Sequence, residues 1–222
     1  MDEHAKDTVL KGLFNFLVPV LLFIGIFGFI GIFFSPTQRI QYWGYLMLYF
    51  FPPMGKESVI PLAICQGGFH PALIAVSIAL IDSLVALFLV LNYDLAKAIP
   101  LIGNFMNYIE TKGTHIVDKH PWIKPIRYIG VILFVMVPFQ GSGGMVASIL
   151  GRLIGMNPWI TWSAITIGAL IGCSLVSLAT IGALILTGNN ITLILIVVAI
   201  IMIISAGYTI YSYLQRKRKH NN

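Results

Sequence analysis

Long apolar runs are the feature that most constrains what this chain can fold into. A membrane-spanning helix needs about 20 consecutive apolar residues to cross a hydrocarbon core about 30 Å thick. Four stretches meet this length, at residues 13–34, 71–92, 158–186 and 191–214. Charged residues make up 10% of the 222 residues, against about 25% in a soluble domain. The sequence therefore predicts an all-α integral membrane protein with a single membrane domain.

Two further apolar stretches are interrupted by polar and helix-breaking residues. Residues 41–67 contain the sequence PPMGKE, and residues 125–155 contain PFQGSGG. Backbone without helical hydrogen bonds is tolerated at membrane depth only where it is buried in protein or lines a wet cavity. We therefore expect each stretch to form a re-entrant hairpin of two half-helices; the alternative is two short ordinary helices joined by a surface loop. The helix breaks are assigned to Pro53, Gly55, Pro61 and Pro138.

The two interrupted stretches occupy matching places in the two halves of the chain. Each is followed by a spanning segment that begins with proline, at Pro71 and at Pro158. Counting the crossings makes the hairpins enter from opposite faces, as in the inverted repeats of transporters. The side that receives both termini carries most of the Lys and Arg residues, so the positive-inside rule makes it cytoplasmic. The predicted fold is thus four transmembrane helices plus two oppositely oriented re-entrant helical hairpins, in the cytoplasmic membrane.

Two segments are expected on the cytoplasmic side. Residues 93–124 form either an amphipathic helix on the membrane surface or a short helix that covers the end of the bundle. Residues 215–222 form a basic tail that contains RKRK. Beside a hydrophobic segment, such a tail favours an anchor on anionic lipid, and no nucleic-acid partner is expected. Apolar residues recur at helical spacing in the first segment, at Leu95, Ile99, Ile102, Met106 and Ile109.

Few ionisable residues remain at the predicted membrane depth, namely Lys56, Glu57, Asp82 and Arg152. A charge at the centre of a spanning helix costs about 2.5–3.5 kcal/mol or more, so each is a candidate functional residue. Glu57 begins the second arm of the first hairpin. It is either stabilised by the helix dipole there or, in a partly dry cavity, carries a proton. Asp82 is either the counter-ion of Lys56 or a second proton-coupling residue.

The glycine-rich segment of the second hairpin is the counterpart of these charges. Gly141 and Gly143 let the backbone approach a ligand closely. The half-helix that starts there presents free N–H groups and the positive end of a dipole, which favour an anion such as phosphate. We therefore expect Gly141, Ser142 and Gly143 to bind substrate together with Lys56 and Arg152. Alternatively, Arg152 extends to the cytoplasmic interface.

The remaining motifs are expected to serve packing. Gly168 and Gly172 form a GxxxG pattern, which lets helices approach closely. We expect it to pack against a hairpin of the same chain in preference to a homodimer, which stays an alternative. Cys65 and Cys173 lie in apolar segments as small packing residues. The five His residues have no metal-ligand spacing and no catalytic constellation is evident, so neither an enzyme, a metal site nor a cofactor is expected.

Both hairpin sequences resemble a known family. VPFQGSGGMVASILGRLIG, residues 137–155, is similar to the second hairpin of the small multidrug export protein family, a branch of the DedA-like (VTT) superfamily. Pro138 and the glycines match its pattern Pro-x-Pro-Gly-Thr-Gly, with Gln140 in place of the second proline and Ser142 in place of threonine. KESVIPLAICQG, residues 56–67, is similar to the first hairpin, where a glutamate precedes Ile-Pro.

The resemblance implies two inward-pointing hairpins of opposite orientation. Proteins of the wider superfamily are implicated in moving polyprenyl phosphates or phospholipids across the bilayer, and several depend on acidic hairpin residues and the proton gradient. By position, Glu57 would be the acidic hairpin residue.

The sequence thus favours a transporter of the DedA-like type that moves an amphiphilic anion, such as a polyprenyl phosphate or lipid, between leaflets. Glu57 and Asp82 would couple the movement to protons. The alternative is a proton-driven exporter of small cationic compounds, which the same two acids would bind. A second alternative is a non-transporting membrane scaffold, although a scaffold has no need of two buried acids. The expected partners are membrane lipids, the lipid-phosphate or small amphiphilic substrate, and protons.

Overall fold

The structure, a computed structural model, describes residues 3–50, 54–93, 123–138, 143–188 and 190–194, and residues 196, 197, 199, 200 and 203. Side chains are described from residue 12 in the first helix and from residue 126 in the fifth. All regular elements in these ranges are helices. They are α1 (Glu3–Ile32), α2 (Pro36–Leu48), α3 (Lys56–Cys65), α4 (Pro71–Leu91), α5 (Ile123–Met136), α6 (Gly144–Leu153) and α7 (Pro158–Leu186), with further helical backbone at residues 191–194 and at single positions up to 203.

Three helices are long and apolar enough to cross a membrane. They are Gly12–Ile32 within α1 and the whole of α4 and α7, which confirms three of the predicted spans. Most of the predicted fourth span, residues 191–214, lies outside the described residues. The share of the apolar window that is buried is 11% in α1, 28% in α7 and 67% in α4. Polar side chains on α4 are therefore the ones most shielded from lipid.

Proline and glycine set the helix boundaries. Pro71 and Pro158 occupy the first positions of α4 and α7, where the missing N–H would have no helical partner. Gly155 and Gly188 follow the ends of α6 and α7 with φ of 72° and 60°. This left-handed backbone, which glycine adopts without a steric penalty, commonly ends a helix. Both spans therefore begin where the sequence predicts.

The interrupted stretches form pairs of short helices. The helices α2, α3, α5 and α6 have 13, 10, 14 and 10 residues. At about 1.5 Å per residue, each is shorter than the apolar core of about 30 Å. Helix α2 packs against α3, and α5 packs against α6. The breaks at Gly55 and Pro138 are confirmed, since both residues lie in non-helical backbone. The re-entrant course of the pairs stays a prediction, and Pro53 lies outside the described residues.

The prediction that Pro61 breaks a helix is wrong. Pro61 is buried inside α3, which continues to Cys65. Proline removes the hydrogen bond that its nitrogen would donate to the Glu57 carbonyl, but its φ near −65° is already helical. One missing bond does not end a helix that neighbouring segments bury along most of its length.

Most of the predicted cytoplasmic segment, residues 93–124, lies outside the described residues. The exceptions are Tyr93 and the first two residues of α5. Its predicted amphipathic helix therefore stays a prediction, as does the basic tail at residues 215–222.

The described helices fall into two compact units. Unit 1 comprises α1, α4 from residue 79, α5, α6 and α7 up to residue 172. Unit 2 comprises α2, α3, α4 up to residue 78 and α7 from residue 173. Each unit therefore holds one of the two short-helix pairs, and α4 and α7 contribute to both.

Glycines bring the helices of unit 1 close together. A Cβ on Gly168 would lie 2.6 Å from the Ile132 carbonyl oxygen, and one on Gly172 would lie 2.6 Å from the Met136 carbonyl oxygen. Both carbonyls belong to α5, the first arm of the second pair. The GxxxG motif therefore packs against another helix of the same chain, as predicted, while the hairpin form of the second pair stays a prediction.

Polar contacts tie α1 to the C-terminal end of α4 in unit 1. The Asn92 amide donates to the Asn15 carbonyl oxygen at 3.1 Å, and the Asn15 amide donates to the Leu91 carbonyl oxygen at 3.4 Å. The rings of Phe16 and Phe88 meet edge to face with centroids 5.3 Å apart. These contacts anchor the least buried of the three spanning helices.

Unit 2 is organised around Tyr42 on α2, which is fully buried. The Ser77 hydroxyl donates to the Leu73 carbonyl oxygen at 2.7 Å, so the Tyr42 hydroxyl donates to Ser77 Oγ at 2.7 Å. Phe69 packs against the rings of both Tyr42 and Tyr45. Cys65 and Cys173 are both buried and form no disulfide, as expected of small packing residues.

Candidate functional site

The first turn of α3 gathers three polar side chains. Gly55 precedes the helix in an extended conformation, and Lys56, Glu57 and Ser58 follow it. The exposed fraction of the side chain is 2% for Lys56 and 0% for Ser58, and Glu57 is partly buried. Lys56 and Glu57 are predicted from the sequence and Ser58 is not, although its position in the first turn of the helix was the available signal. We call Gly55 to Ser58 the α3 turn.

The Glu57 carboxyl group folds back onto the start of its own helix. A Cβ at position 55 would overlap both of its oxygen atoms, so the space beside Gly55 is filled by the carboxyl group. The first N–H groups of a helix lack helical partners and carry the positive end of the dipole. Burial raises the pKa of Glu57 above its ordinary value, while its own backbone amide and Lys56 act in the opposite direction. Glu57 thus serves as an internal anion at the α3 N-terminus.

Two buried polar atoms of the α3 turn remain available for new hydrogen bonds. Within the described residues, neither Glu57 Oε2 nor Ser58 Oγ has a hydrogen-bond partner. A buried polar group without a partner is destabilising by about 1–3 kcal/mol. A substrate group or a water molecule that forms hydrogen bonds at this position would relieve that cost.

Asp82 lies in the middle of α4 with 3% of its side chain exposed. Its Oδ1 atom accepts a hydrogen bond of 2.9 Å from the backbone N–H of Gly144, the first residue of α6. A Cβ on Gly144 would overlap the Asp82 carbonyl oxygen and lie 2.8 Å from its carbonyl carbon. Glycine is therefore required where α6 begins, because no side chain fits between the two helices.

An anionic substrate is predicted at the α6 N-terminus, and this role of Gly141, Ser142 and Gly143 stays a prediction. The N–H of Gly144 already binds a carboxylate of the chain itself. The consecutive glycines do permit a close approach, as the sequence indicates, but the backbone that approaches Gly144 is that of α4. Gly143 is the N-cap residue of α6, while Gly141 and Ser142 lie outside the described residues. Both half-helices, α3 and α6, thus begin at a carboxylate.

Arg152 is engaged at the other end of α6. Its guanidinium donates to the Met156 carbonyl oxygen at 3.0 Å and lies 4.7 Å from the centre of the Tyr93 ring. Arg127 on α5 donates to the carbonyl oxygens of Ile154 and Gly155, both at 3.2 Å. Cations near a helix C-terminus complement its negative dipole end. The two arginines therefore stabilise the end of α6, and the predicted roles of Arg152 in substrate binding or at the interface stay predictions.

Residue 83 carries a contact that sequence analysis missed entirely. The Trp162 indole N–H donates to the Ser83 carbonyl oxygen at 3.1 Å, and Ser83 Oγ lies 2.8 Å from Thr166 Oγ1. These bonds join α4 to α7 directly beside Asp82. No local pattern predicts them, since the partners are far apart in the sequence.

The remaining site predictions stay predictions. The proposed pairing of Lys56 with Asp82 joins residues of different units. Among the described residues, no group of three or more His, Cys, Asp or Glu side chains is arranged to hold a metal ion.

Comparison with known proteins gives one match. A protein-family model described as "Putative small multi-drug export protein" matches residues 57–175, which is more than half of the chain. No curated protein and no solved structure matches the chain. The match begins at Glu57 and includes Asp82, Gly144, Arg152 and Trp162. The chain therefore belongs to the small multidrug export protein family.

Proposed function

We propose that this protein is a membrane exporter that exchanges protons for small organic cations, with Glu57 and Asp82 as the exchanging groups. The observation that carries the proposal is that both half-helices begin at a carboxylate of the chain, Glu57 at α3 and Asp82 at α6. The three membrane-spanning helices and the family membership support export in general. The choice of cations rests on the carboxylates.

The electrostatics of the half-helices favour a cationic substrate. A helix N-terminus attracts an anion when its N–H groups are free. At α6, a phosphate would have to displace Asp82 from the Gly144 N–H and would leave two negative charges close together. A cation that leaves water loses its hydration, which is tolerable only beside an anionic partner. Buried carboxylates supply that partner.

Competition for one carboxylate couples the two movements. When Glu57 is ionised, its Oε2 atom can accept a hydrogen bond from an organic cation or pair with its charge. The Ser58 hydroxyl lies on the same turn and is available to the same ligand. When Glu57 is protonated, the negative charge is lost and the cation is released. Burial makes the protonated form easier to reach. Proton and cation therefore bind alternately, which is the requirement for exchange.

Lys56 supports a second candidate function. Its side chain is almost fully buried beside Glu57, and a buried ammonium group suits an anionic headgroup. For this second candidate, the substrate is an amphiphilic anion such as a polyprenyl phosphate, and Lys56 binds it. Glu57 then binds only protons and no organic cation. The two candidates predict opposite substrate charge and are separated by one assay.

The test is transport in proteoliposomes under an imposed pH gradient. Ethidium serves as the cationic probe and a fluorescent polyprenyl phosphate as the anionic probe. The variants are Glu57→Gln and Asp82→Asn, each of which removes a carboxylate with little change in shape. Glu110→Gln is the matched control, because Glu110 lies in the predicted cytoplasmic segment. Folding of each variant is checked by circular dichroism and by size-exclusion chromatography.

We expect the wild type and Glu110→Gln to move ethidium when the pH gradient is present and to lose the movement when it is collapsed. Glu57→Gln is expected to lose at least ten-fold in rate. Movement of the polyprenyl phosphate without ethidium movement would overturn the cation proposal in favour of the lipid-carrier candidate. Movement of neither probe by folded wild-type protein, together with unfolding of Glu57→Gln and Asp82→Asn, would favour the scaffold.

A further inference from the structure

We propose that Trp162 is a positioning residue. Through its hydrogen bond to the neighbouring residue, Ser83, it holds the Asp82 carboxyl group against the N-terminus of α6. The indole N–H donates to the Ser83 carbonyl oxygen at 3.1 Å. This carbonyl already belongs to the hydrogen-bond ladder of α4, and a carbonyl oxygen has a second lone pair that can accept another donor. The contact therefore adds a bond between helices without breaking one inside α4.

A second hydrogen bond runs between the same two helices in the opposite direction. The Thr166 hydroxyl donates to the Trp162 carbonyl oxygen at 2.9 Å, so its proton is committed within α7. The Ser83 hydroxyl therefore donates to Thr166 Oγ1 at 2.8 Å. Residue 83 thus accepts from α7 through its backbone and donates to α7 through its side chain. Such a pair of bonds fixes both the height and the rotation of α4 against α7.

The rotation of α4 decides where the Asp82 carboxyl group points. Adjacent residues of an α-helix differ by about 100° in direction, so residue 83 can face α7 while residue 82 faces α6. Helix α7 also contacts α6 directly, because a Cβ on Gly151 would lie 2.5 Å from Thr161 Cγ2. The first half of α7 therefore contacts both helices that the Asp82–Gly144 bond joins.

Sequence and chemistry both make tryptophan suited to this role. Indole combines a large apolar ring with a single donor and no acceptor, so its hydrogen bond has a defined direction. Phenylalanine keeps most of the ring and removes the donor. Trp159, one turn earlier on α7, is 58% exposed and packs against the Trp162 ring with centroids 6.1 Å apart. It provides a matched control on the same helix.

The experiment is amide hydrogen exchange followed by mass spectrometry on the full chain in detergent micelles. The readout is deuterium uptake by peptides that cover the start of α6, and peptides from α3 serve as the internal reference. The variants are Trp162→Phe, Trp159→Phe, Thr166→Val and Thr166→Ser. Serine keeps the hydroxyl group that accepts from Ser83, whereas valine keeps only the shape.

We expect Trp162→Phe and Thr166→Val each to speed exchange at the start of α6 by about three-fold, which corresponds to the average hydrogen bond between membrane helices. Trp159→Phe and Thr166→Ser are expected to match the wild type. Uptake in α3 is expected to stay unchanged in all four. Wild-type exchange in Trp162→Phe, or an equal rise in α3 and α6, would overturn the proposal.

A double variant tests whether Trp162 acts through Asp82. Asp82→Asn alone is expected to speed exchange at the start of α6, because the charge-assisted bond to the Gly144 N–H is weakened. If Trp162 works by positioning this carboxylate, Trp162→Phe adds little in the Asp82→Asn background. Additive effects would show independent roles and refute the inference. Hydrogen exchange needs no substrate, so this result does not depend on the proposed export function. Only the use of Asp82 in transport rests on that proposed function.

Discussion

Replacing Gly144 with alanine places a methyl group where the backbone of α4 already lies. A Cβ at this position would overlap the Asp82 carbonyl oxygen and lie 2.8 Å from its carbonyl carbon and 3.0 Å from its Cα atom. All three are backbone atoms in the middle of a spanning helix, and they cannot rotate away as a side chain can. Helix α6 must therefore shift away from α4, which stretches the 2.9 Å bond between the Gly144 N–H and Asp82 Oδ1.

The expected loss of stability has two parts. Overpacking at a well-packed position is destabilising by about 1–3 kcal/mol. A hydrogen bond between membrane helices contributes about 0.6 kcal/mol on average and up to about 1.7. Gly144→Ala should therefore lower the free energy of unfolding by about 2–5 kcal/mol. The control is Gly130→Ala on α5, where a Cβ would meet no atom within 4 Å. Alanine there should be neutral or stabilising by up to about 1 kcal/mol.

The assay is unfolding by increasing mole fractions of SDS in mixed micelles, followed by tryptophan fluorescence. The two variants make the same chemical change in helices of the same protein, so differences in helix propensity largely cancel. If Gly144→Ala unfolds at the same SDS fraction as Gly130→Ala, the close approach of α6 to Asp82 does not exist in solution. The account of the α6 N-terminus would then fail.

Three further predictions concern single side chains. Tyr42→Phe removes the hydrogen bond to Ser77 and should lower stability by about 1 kcal/mol in SDS unfolding. Tyr45→Phe should not, because the Tyr45 hydroxyl makes no such bond within the described residues. Arg152→Met removes the charge that caps α6 and should lower stability by about 1–3 kcal/mol; wild-type stability would refute the capping role. Because burial raises the pKa of Glu57, the folded state holds this proton more tightly than the unfolded state, and stability should decline as the pH rises above the ordinary value near 4.5. Glu57→Gln should flatten this decline in unfolding midpoints measured across the pH range, and an unchanged slope would contradict it.

Sequence pattern predicts the elements that local physics controls. Pro71 and Pro158 begin the spanning helices because the first helical position is the one that proline favours. Gly55 and Pro138 mark breaks for a related reason, since neither residue sustains a helix at that place. Pro61 was the exception, and its local preference was overruled by the burial of α3 on neighbouring segments.

The contacts of the site depend on which helices become neighbours, and local pattern does not contain that information. The sequence identified Asp82 as a buried acid and the glycines before α6 as a place of close approach. It did not indicate that the two meet, since 62 positions separate Asp82 from Gly144. Nor did it indicate that Arg152 donates to the Met156 carbonyl oxygen beyond the end of α6.

The hydrogen bonds of Trp162 and Thr166 with Ser83 are still harder to predict from the sequence. Serine, threonine and tryptophan are common in membrane helices, and their spacing on α4 and α7 carries no distinctive signal. Only the packing of the two helices selects Ser83 as the partner.

Proton release on substrate binding tests the central claim most directly. Detergent-solubilised protein in weakly buffered, mildly acidic solution would receive tetraphenylphosphonium, with a pH-sensitive dye as the readout and polyprenyl phosphate as the anionic comparison. The account predicts that the cation releases protons from the wild type, releases fewer from Glu57→Gln, and that polyprenyl phosphate releases none. Cation binding without proton release, or equal release from Glu57→Gln, would contradict the exchange of protons for cations at these carboxylates.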